Sequence, residues 1–476
     1  MVWTEYKMTQ QMYTEKKYQD LAEKYNVAAP RYTSYPTMPY WDIDAFNQEA
    51  WKRSVKLSFM ESNQKDGISL YVHLPFCESL CTYCGCNTRI TKNHGVEEPY
   101  IKAVLKEWKK YREIMEDKPV IREIHLGGGT PTFFSPENLH RLIYGLMEGS
   151  DVHPEAEFSF EAHPANTTED HLQTLYDLGF SRLSLGIQDF DPKVQFIIHR
   201  EQSFEQVKSV TQAARKIGYT SINYDLIYGL PLQTPQGLIN TINMVAELMP
   251  DRIAFYSYAH VPWVKPGQRR FTEADLPDTE IKSKLYEIGR SLLKGYGYIE
   301  VGMDHFALLS DDLCMAQHNG NLHRNFMGYT HQHTQLLIGL GVSAISDSWY
   351  AFAQNVKVVE DYISLVDNNM GLVHKGTSPV FKGHLLTNDD LIIRKHILNI
   401  MCKGETSWDY HLETLPSLFD ALDRLQPLAD DRLIELNSSG LKVTPAGKRF
   451  LRNICMALDA RLWIDKPKTQ LFSMAI

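Results

Sequence analysis

The sequence predicts an α/β protein, in which a partial parallel barrel of the (β/α)6 type follows an N-terminal extension and precedes a mainly helical C-terminal domain. Three observations lead to this prediction. Six strand-like segments recur between residues 68 and 257, helical segments separate them, and the pattern from about residue 372 onward is helical. Strands that alternate with helices at such intervals form βα units, and these units build parallel sheets.

The six predicted strands are short segments in which apolar residues recur at alternate positions. In chain order they are ISLYVHL (68–74), IREIHL (121–126), EFSFE (157–161), SRLSLGIQ (181–188), SINYDLI (221–227) and DRIAFYS (251–257). The helix after the fourth strand begins with a capping box of Ser203 and Gln206 and ends at Gly218. Ser135–Pro136 and Thr234–Pro235 each place an N-cap before a first-turn proline, which predicts two further helices.

Alternation within the strands also predicts one polar face. Glu161, Gln188 and Asp225 lie on that face, near the C-terminal ends of three successive strands. Parallel strands buried on both faces are normally apolar, and an unpaired carboxylate inside a barrel is costly. Because catalytic groups of such barrels lie at the carboxyl ends of the strands, we expect a ligand-lined mouth there. Taken singly, each of the three is equally well explained as a solvated strand-end residue.

The length of 476 residues predicts two or three folding units. We expect an N-terminal extension over 1–66 that ends near a polar turn in ESNQKDG, and the barrel over 67–305. A connecting region over 306–371 is expected to cover the barrel mouth, and residues 372–476 to form the helical domain. In that domain, a hairpin at 433–444 before a helix from about Ala446 is typical of a winged-helix-like unit. It has no concentrated basic face, so we expect a substrate cover and not a DNA-binding unit.

Composition excludes several classes of protein. With 43% hydrophobic and 22% charged residues the chain is globular, and its net charge of −9 does not favour nucleic-acid binding. No apolar run approaches the roughly 18 residues that a membrane span needs, and the N-terminus lacks the apolar segment of a signal peptide. We therefore expect a cytoplasmic protein with no nucleic-acid or membrane partner.

Four of the seven cysteines lie within ten residues, in the segment FCESLCTYCGC: Cys77, Cys81, Cys84 and Cys86. A structural zinc site usually needs a second ligand pair, and none follows here. The pair Cys81 and Cys84 alone would suit thioredoxin-type dithiol chemistry. Three thiolates in a C-x3-C-x2-C loop can instead hold three irons of a cubane cluster and leave the fourth iron open. Spacing alone leaves the zinc and dithiol alternatives open.

The segment CESLCTYC resembles the radical S-adenosylmethionine (SAM) motif C-x3-C-x-aromatic-C, with Tyr83 as the aromatic residue. This resemblance implies a radical SAM barrel with a [4Fe–4S] cluster on Cys77, Cys81 and Cys84. In that superfamily the open iron binds SAM, and one electron from the cluster releases methionine and a 5′-deoxyadenosyl radical. The loop GGGTP after the second strand lacks the lysine of a P-loop and resembles the second motif of the superfamily, whose backbone meets the methionine amino group.

A finer resemblance spans almost the whole chain from about Pro30. Its segments are Cys86 in a GC dipeptide, PRYTSYPT (30–37), GIQDF (186–190), REQ (200–202), DLIYGLP (225–231), LHRNFMGYT (322–330), GLGVSAIS (339–346), AQN (353–355) and RNICMALD (452–459). These segments are similar to those of oxygen-independent coproporphyrinogen III oxidases (coproporphyrinogen dehydrogenases). Members of that family convert two propionate side chains of coproporphyrinogen III to vinyl groups, giving protoporphyrinogen IX in haem biosynthesis.

The resemblance also implies two bound SAM molecules and their residues. The first molecule is expected at Tyr71, Gly128, Glu161 and Ile345. The second is expected at Tyr83, Gly129, Thr130, Gln188, Arg200, Asp225 and Ala259. Cys86 and Arg31 are candidates for the catalytic or substrate side, although a packing thiol and a solvated surface arginine explain them as well. The chain departs from the family pattern in Tyr83, in His199 before Arg200, and at residues 347–349.

The resemblance further implies coproporphyrinogen III as substrate, a low-potential electron donor protein of the flavodoxin or ferredoxin type, and a monomer. One alternative is a haem chaperone of the same superfamily, which binds haem without porphyrinogen turnover. Cys86, the RYTSYP segment and HRNFMGY, in place of the HN-x-x-YW motif of chaperones, argue against it. A non-catalytic metal-binding protein is the second alternative, and it leaves the polar barrel edge unexplained.

Overall fold

The computed structural model describes residues 20–367, 378–408, 416–467, 469 and 471–475. Within them the strands are β1 (Ile68–Leu74), β2 (Phe76–Cys77), β3 (Arg89–Ile90), β4 (Val120–Gly128), β5 (Asp151–Ala162), β6 (Phe180–Gln188), β7 (Ser221–Tyr228), β8 (Arg252–Ser257), β9 (Ile299–Val301), β10 (His305–Ala307), β11 (His323–Asn325), β12 (Gly328–Thr330), β13 (Leu337–Leu340), β14 (Ile345–Asp347), β15 (Ala351–Asn355), β16 (Val380–Leu385), β17 (Glu405–Ser407), β18 (Ile434–Asn437) and β19 (Gly440–Val443).

The helices surround these strands. They are α1 (Gln48–Asp66), α2 (Glu97–Met115), α3 (Pro136–Met147), α4 (Glu169–Asp177), α5 (Pro192–Ile197), α6 (Phe204–Ile217), α7 (Pro235–Leu248), α8 (Thr279–Gly295), α9 (Asp312–His318), α10 (Val359–Asp367), α11 (Asn388–Lys403), α12 (Pro416–Asp430), α13 (Leu451–Leu458) and α14 (Ala460–Ile464). None of the helices in the described part of the chain is both long and apolar enough to cross a bilayer.

Twelve strands form one sheet, in the order β16-β15-β14-β13-β1-β4-β5-β6-β7-β8-β10-β9. The six predicted strands are its centre, and neighbours among them pair in parallel. The α/β barrel fold is therefore confirmed. The sheet continues past both ends of this centre: β13 pairs in parallel with β1, and β10 pairs antiparallel with β8. Strands of the 306–371 segment belong to the same sheet as the barrel. The predicted domain boundaries stay a prediction.

The predicted helix signals are present in the structure. Ser203 and Gln206 form the capping box of α6, and Gly218 ends this helix at a φ of 123°. Ser135 and Thr234 accept hydrogen bonds from the backbone N–H groups of their first turns. These caps fix where the crossover helices begin, and therefore where the preceding strands end.

The polar segment ESNQKDG is helical and not a turn, which corrects one expectation. Helix α1 continues to Asp66, and Gly67 ends it at a φ of 69°. Asn63 explains the misassignment, because its amide oxygen accepts from the Val120 N–H at 2.8 Å and its amide nitrogen donates to the Lys118 carbonyl at 3.1 Å. Asn63 thus binds β4 and its preceding loop, whereas Glu61, Gln64 and Lys65 of the same segment are exposed.

The C-terminal region is mainly helical, as predicted, around a small antiparallel sheet of order β17-β19-β18. The predicted hairpin is β18 and β19, and the helix expected from about Ala446 begins as a short 3-10 turn before α13. Tyr32 and Tyr35 of the RYTSYP segment share the apolar core of this region. The charged start of the predicted N-terminal extension lies outside the described residues.

Candidate active site

The cysteine loop leaves the C-terminal end of β1 and is fastened to α5. Cys77 pairs with Ile90 in the short β2–β3 ladder, and the Cys84 N–H donates to the Cys81 carbonyl at 3.1 Å. Between them, the Thr82 N–H donates to the Ile198 carbonyl at 2.9 Å and its hydroxyl to the Ile197 carbonyl at 3.1 Å. These bonds hold the loop across the barrel mouth, so its thiols face inward.

A cavity of about 260 Å³ lies under this loop. Most of the residues expected at the site line it: Cys77, Cys81, Tyr83, Cys84, Cys86, Gly128, Gly129, Thr130, Glu161, Gln188, Arg200 and Asp225. The structure therefore brings together, at one end of the barrel, residues that are up to 148 positions apart in the sequence.

The donor set fits an iron–sulfur cluster better than a single zinc ion. Within the described residues, the sulfurs of Cys77, Cys81 and Cys84 do not all lie within 4.8 Å of one another. A tetrahedral zinc ion, with bonds of about 2.3 Å, would draw its sulfurs to about 3.8 Å. Soft thiolate ligands spread more widely suit a polynuclear cluster. The spacing of the three sulfurs thus disfavours the zinc alternative.

Each of the three thiols has a polar neighbour. The Thr130 hydroxyl lies 3.3 Å from the Cys77 sulfur, and the Arg200 guanidinium donates to the Cys81 sulfur at 3.6 Å. A hydrogen bond from Cys86 lowers the pKa of Cys84 to about 6, whereas burial raises the pKa of Cys77 to about 11. A cation beside the loop favours the thiolate form that ligates iron.

The GGGTP loop lies close against the start of the cysteine loop. The Gly129 N–H donates to the Leu74 carbonyl at 2.8 Å, and the Thr130 N–H donates to the Phe76 carbonyl at 3.0 Å. Gly128 has a φ of 113°, and a Cβ there would lie 2.6 Å from the His73 ring. A Cβ on Gly129 would lie 2.6 Å from the Pro75 backbone. Glycine is required at both positions because the backbone forms the cavity wall.

Glu161 occupies the centre of the polar face. Its carboxylate accepts from the Gly128 N–H at 3.1 Å and lies 3.7 Å from His125, whose ring stacks on Tyr71 at 5.9 Å. Burial raises the pKa of Glu161, but His125 and the Gly128 amide outweigh it and hold the pKa below its usual value. The side chain therefore presents a negative charge to the cavity.

Asp225 is positioned differently. It accepts from the Ser184 hydroxyl at 3.1 Å and from the Asn223 amide at 2.9 Å. Burial, together with the nearby charge of Glu161, raises the pKa of Asp225 to about 6. Two carboxylates side by side on one cavity wall provide acceptors for hydroxyl or amino groups of a polar ligand.

Two further groups indicate a ligand in this cavity. The buried Gln188 amide oxygen has no hydrogen-bond partner among the described residues. The Arg200 guanidinium donates to the Gly186 carbonyl at 2.6 Å and reaches Cys81 with its other nitrogen. An orphaned buried polar atom beside a buried cation is costly unless a ligand or water satisfies it. SAM, with its carboxylate, amino and hydroxyl groups, offers suitable partners.

A second cavity of about 410 Å³ adjoins the first and shares Gly128, Glu161 and Cys86 with it. Tyr71 and Ile345, the remaining residues expected at the first SAM molecule, line this second cavity. Apart from Ala259, the SAM residues implied by the resemblance therefore line two adjoining cavities that meet at Glu161.

Ala259 and Arg31 line neither cavity. The Gln268 amide donates to the Ala259 and Tyr83 carbonyls, each at 3.2 Å, which fastens the segment after β8 to the cysteine loop. Arg31 donates to the Ser257 carbonyl at 3.1 Å and lies 3.8 Å from Asp304. Its side chain is 34% exposed, so Arg31 is held at the barrel rim and is not a freely solvated arginine.

Sequence reasoning missed several residues of the site: His125, Ser184, Asn223 and Tyr256 all line a third cavity of about 190 Å³ deeper in the barrel, together with Glu161 and Asp225. Strand alternation places Ser184 on the face of Gln188 and Asn223 on the face of Asp225. It does not show which residues of neighbouring strands lie side by side: His125 pairs in register with Tyr71, and Asn223 with Ser184. Each lies on the same polar face as the predicted carboxylates.

Comparison with known proteins agrees with this geometry. Residues 71–245 match the Radical SAM superfamily. The chain is 39% identical over 468 residues to oxygen-independent coproporphyrinogen III oxidase of Escherichia coli strain K12, covering 96% of this chain and 98% of that protein. It is 37% identical over 468 residues to the protein of that name from Synechocystis sp., covering 96% and 97% of the two chains.

A solved structure gives the same result for the fold. Coproporphyrinogen III oxidase from Escherichia coli, described as a radical SAM enzyme, superposes with a TM-score of 0.83 at 37% identity, covering 90% of this chain and 97% of that one. These relatives bear the name of an enzyme, so they do not support the haem-chaperone alternative. Identity sustained over nearly the full length, on a shared fold, shows that the protein belongs to the oxygen-independent coproporphyrinogen III oxidase family of the radical SAM superfamily.

Proposed function

We propose that this protein oxidatively decarboxylates two propionate side chains of coproporphyrinogen III to vinyl groups, giving protoporphyrinogen IX. One observation carries the proposal. The three cysteines, the GGGTP backbone and the carboxylates of Glu161 and Asp225 meet at a single cavity, in a chain 39% identical to a coproporphyrinogen III oxidase over nearly its full length.

The cofactors of a radical SAM protein are a [4Fe–4S] cluster and SAM. When bound, they would supply a 5′-deoxyadenosyl radical able to take a hydrogen atom from the β-carbon of a propionate; the substrate radical would then lose carbon dioxide and pass one electron to a one-electron acceptor. Cys77, Cys81 and Cys84 are the residues that would hold the cluster. Arg200 is placed beside Cys81 to offset the negative charge of the thiolates.

The remaining residues of the cavity bind and orient SAM in this proposal. The Gly128 backbone and the charge of Glu161 suit the methionine amino group, and Asp225 suits ribose hydroxyls. Tyr71 and Tyr83 provide flat apolar surfaces for adenine. Two adjoining cavities that share Glu161 support the binding of two SAM molecules.

Cys86 and Arg31 are proposed on the substrate side. Cys86 lines both cavities and is exposed, two residues beyond the last cluster ligand. The Arg31 guanidinium lies 6.0 Å from the centroid of the Tyr256 ring, near the end of β8. A guanidinium at the rim suits a propionate carboxylate of the macrocycle. We also propose that the protein acts as a cytoplasmic monomer supplied by an electron donor protein.

The test is an anaerobic turnover assay. The reconstituted protein receives dithionite, SAM and coproporphyrinogen III, and the products are separated by chromatography. We expect protoporphyrinogen together with 5′-deoxyadenosine. Cleavage of SAM without vinyl formation would overturn the proposed substrate.

Two variants separate the roles of neighbouring cysteines. Cys84→Ala is expected to lose the iron–sulfur absorbance and all turnover. Cys86→Ser is expected to retain the absorbance and SAM cleavage but to form vinyl groups more slowly by at least about tenfold. Equal losses in both variants would contradict the substrate-side role of Cys86.

A further inference from the structure

An exposed apolar patch lies on the outer side of the cysteine loop. Its members, which we call the loop surface, are each between 41% and 62% exposed: Leu80, Phe196, Trp263 and Val264. Large apolar side chains exposed singly are common, but a contiguous group marks an interaction surface. Leu80 directly precedes Cys81, so the patch reaches within one residue, about 3.8 Å between Cα atoms, of a proposed cluster ligand.

Contacts between three segments make this surface continuous. Leu80 lies against Gly267, where a Cβ would be 3.4 Å from Leu80 Cδ2, and its carbonyl is 2.8 Å from His199 Nδ1. The Arg270 guanidinium lies 5.6 Å from the centre of the Phe196 ring. The loop, the end of α5 and the segment 261–270 therefore present one face.

Basic residues outnumber acidic ones on this face. Segments 192–200 and 261–270 contain no Asp or Glu, although the whole chain carries a net charge of −9. Four cations border the apolar patch, and in the described part of the chain none of them lies within 4.0 Å of a carboxylate: Lys193, Lys265, Arg269 and Arg270. The cysteine loop carries one acid, Glu78, which lies 3.7 Å from His94. The flanking acids are Asp191, which caps α5, and Glu201 and Glu273 at the segment ends.

We propose that the loop surface, with its four cations, is the docking site of an acidic one-electron carrier protein that reduces the cluster. This inference rests on the proposed function, since radical generation from SAM consumes one electron that the protein must receive. In each encounter the carrier is oxidised by one electron and the cluster is reduced by one, and no bond is formed or broken. Apolar contacts bordered by unpaired cations suit a transient partner of opposite charge.

A second copy of this chain does not fit the same face. Self-association through the loop surface would bring Arg269 and Arg270 of each copy near like charges, which is unfavourable. A small reductant such as dithionite needs no docking surface. Reduction by the carrier protein therefore depends on docking, whereas reduction by dithionite tests only the chemistry inside the barrel.

The experiment compares a double charge reversal on this face with a single charge reversal in the C-terminal region. Arg269→Glu combined with Arg270→Glu removes two exposed cations whose side chains make no bond to the cluster loop. Lys448→Glu, an exposed lysine in the C-terminal region, makes a similar reversal elsewhere. A purified acidic flavodoxin serves as the probe. Its affinity for each holoenzyme is measured by fluorescence titration at several salt concentrations, and reduction of the cluster is followed optically.

We expect the double variant to bind flavodoxin at least about tenfold more weakly, with a flatter salt dependence, and to be reduced by it correspondingly slowly. Dithionite should reduce this variant and drive SAM cleavage as in the wild type, and Lys448→Glu should match the wild type throughout. Phe196→Ala, which removes an exposed ring, should weaken flavodoxin binding while keeping its salt dependence.

Unchanged flavodoxin affinity in the double variant would overturn the proposal. So would slower dithionite-driven turnover with a raised KM for coproporphyrinogen III, because the cations would then bind the substrate. Failure of the proposed function is recognised separately: the wild type would accept electrons from flavodoxin and cleave SAM, yet form no vinyl groups.

Discussion

Glu161 is the residue on which the geometry of the site converges. It lines all three cavities of the barrel, and it is the acceptor for the Gly128 N–H in the GGGTP loop. His125 and the Gly128 amide keep its pKa below the usual value despite burial, so the carboxylate is charged at neutral pH. A charge held at this point is suited to the amino group of SAM.

Replacing this charge tests the assignment. Glu161→Gln keeps the size of the side chain and an acceptor for Gly128, but it removes the negative charge. We expect the dissociation constant of SAM to rise at least about tenfold, corresponding to about 1.4 kcal/mol or more for a charge-assisted hydrogen bond. Equilibrium dialysis with labelled SAM measures this directly, and circular dichroism checks the fold.

Glu123→Gln is the matched control for this variant. Glu123 lies deeper in the barrel, where it accepts from Ser69 at 2.9 Å and where burial raises its pKa to about 7. It lines only the innermost of the three cavities. Its replacement should change SAM affinity less than about twofold. Similar losses in both variants would show that SAM binding depends on the polar interior as a whole and not on Glu161.

Gly128 provides a second test at the same scale. Its φ of 113° and the His73 ring, 2.6 Å from a built Cβ, leave no room for a side chain. Gly128→Ala is expected to displace the loop, lower the stability by at least about 1 kcal/mol, and weaken SAM binding. Gly295→Ala is the control, because nothing lies within 4 Å of a Cβ there. Normal SAM affinity in Gly128→Ala would show that the GGGTP backbone is not part of the SAM site.

Strand alternation predicted Glu161, Gln188 and Asp225, although Gln188 lies past a register shift at the end of β6, where it pairs with Leu226 and has a φ of 67°. It assigned no role to Ser184 or Asn223, although both hydrogen-bond Asp225. Their importance arises from the register between β6 and β7, which pairs Ser184 with Asn223. A pairing register is a property of two strands and cannot be derived from the alternation within either one. The functional assignment of all these residues stays a prediction.

Among the elements, helix α2 fixes the position of the loop that leads to Ile345 at the start of β14. Its fully buried Glu107 accepts from the Gly341 N–H at 2.9 Å, the Asn355 amide at 2.7 Å and the Tyr362 hydroxyl at 2.6 Å. Burial, only partly offset by these donors, raises the pKa of Glu107 to about 7. The carboxyl group thus joins one crossover helix to three segments that follow β13.

This raised pKa predicts a pH dependence of stability with a definite sign. Between its unfolded pKa of 4.5 and its folded pKa of about 7, the folded protein holds a proton that the unfolded chain has released. Stability from this group is therefore full below pH 4.5 and falls as the pH rises through 7. In wild type relative to Glu107→Gln, we expect the free energy of unfolding to fall by about 2 to 3 kcal/mol between pH 5 and pH 8.

Denaturant unfolding under argon at the two pH values measures this difference. Glu113→Gln, an exposed glutamate on the same helix, is the control and should show no pH-dependent difference from the wild type. If the difference between wild type and Glu107→Gln stayed constant from pH 5 to pH 8, Glu107 would not be the titrating group.

The strands of the large sheet differ in how far the sequence predicts them. The six central strands alternate with capped helices, and this local signal predicted them. Strands β13–β16 were not predicted, although they extend the same sheet. They are short, β13 contains a glycine, and β1 pairs with β13 across more than 260 residues of chain. Such pairing is decided by the assembled sheet edge, which the local sequence does not encode.

At the scale of the whole molecule, the two ends of the described chain meet beside the barrel. Ala28 and Met474 form a β-bridge, and the Ala475 N–H donates to the Val27 carbonyl at 2.8 Å. Arg452 of α13 joins both segments, because it donates to the carbonyls of Pro30 at 3.1 Å and Met474 at 2.6 Å. The RYTSYP segment is thereby held between the C-terminal region and the barrel rim.

This arrangement predicts that Arg452 controls the substrate side of the site without contacting it. In Arg452→Gln the glutamine side chain is too short to reach these carbonyls, which stay buried without donors. We therefore expect the free energy of unfolding to fall by about 3 kcal/mol. Because Pro30 precedes Arg31, the KM for coproporphyrinogen III should rise at least about fivefold. SAM affinity should change less than about twofold, since the residues proposed to bind SAM lie on the barrel and not on this segment.

An exposed arginine of the same region serves as the control. It separates the effect of holding the RYTSYP segment in place from general destabilisation. Arg432→Gln should leave the melting temperature and both affinities unchanged, because its side chain is exposed. For Arg452→Gln, limited proteolysis should show new cleavage near residues 28–31 before the barrel is cut. If SAM affinity and KM deteriorated together, the defect would lie in the barrel, and the ends of the chain would have no separate role in holding the substrate.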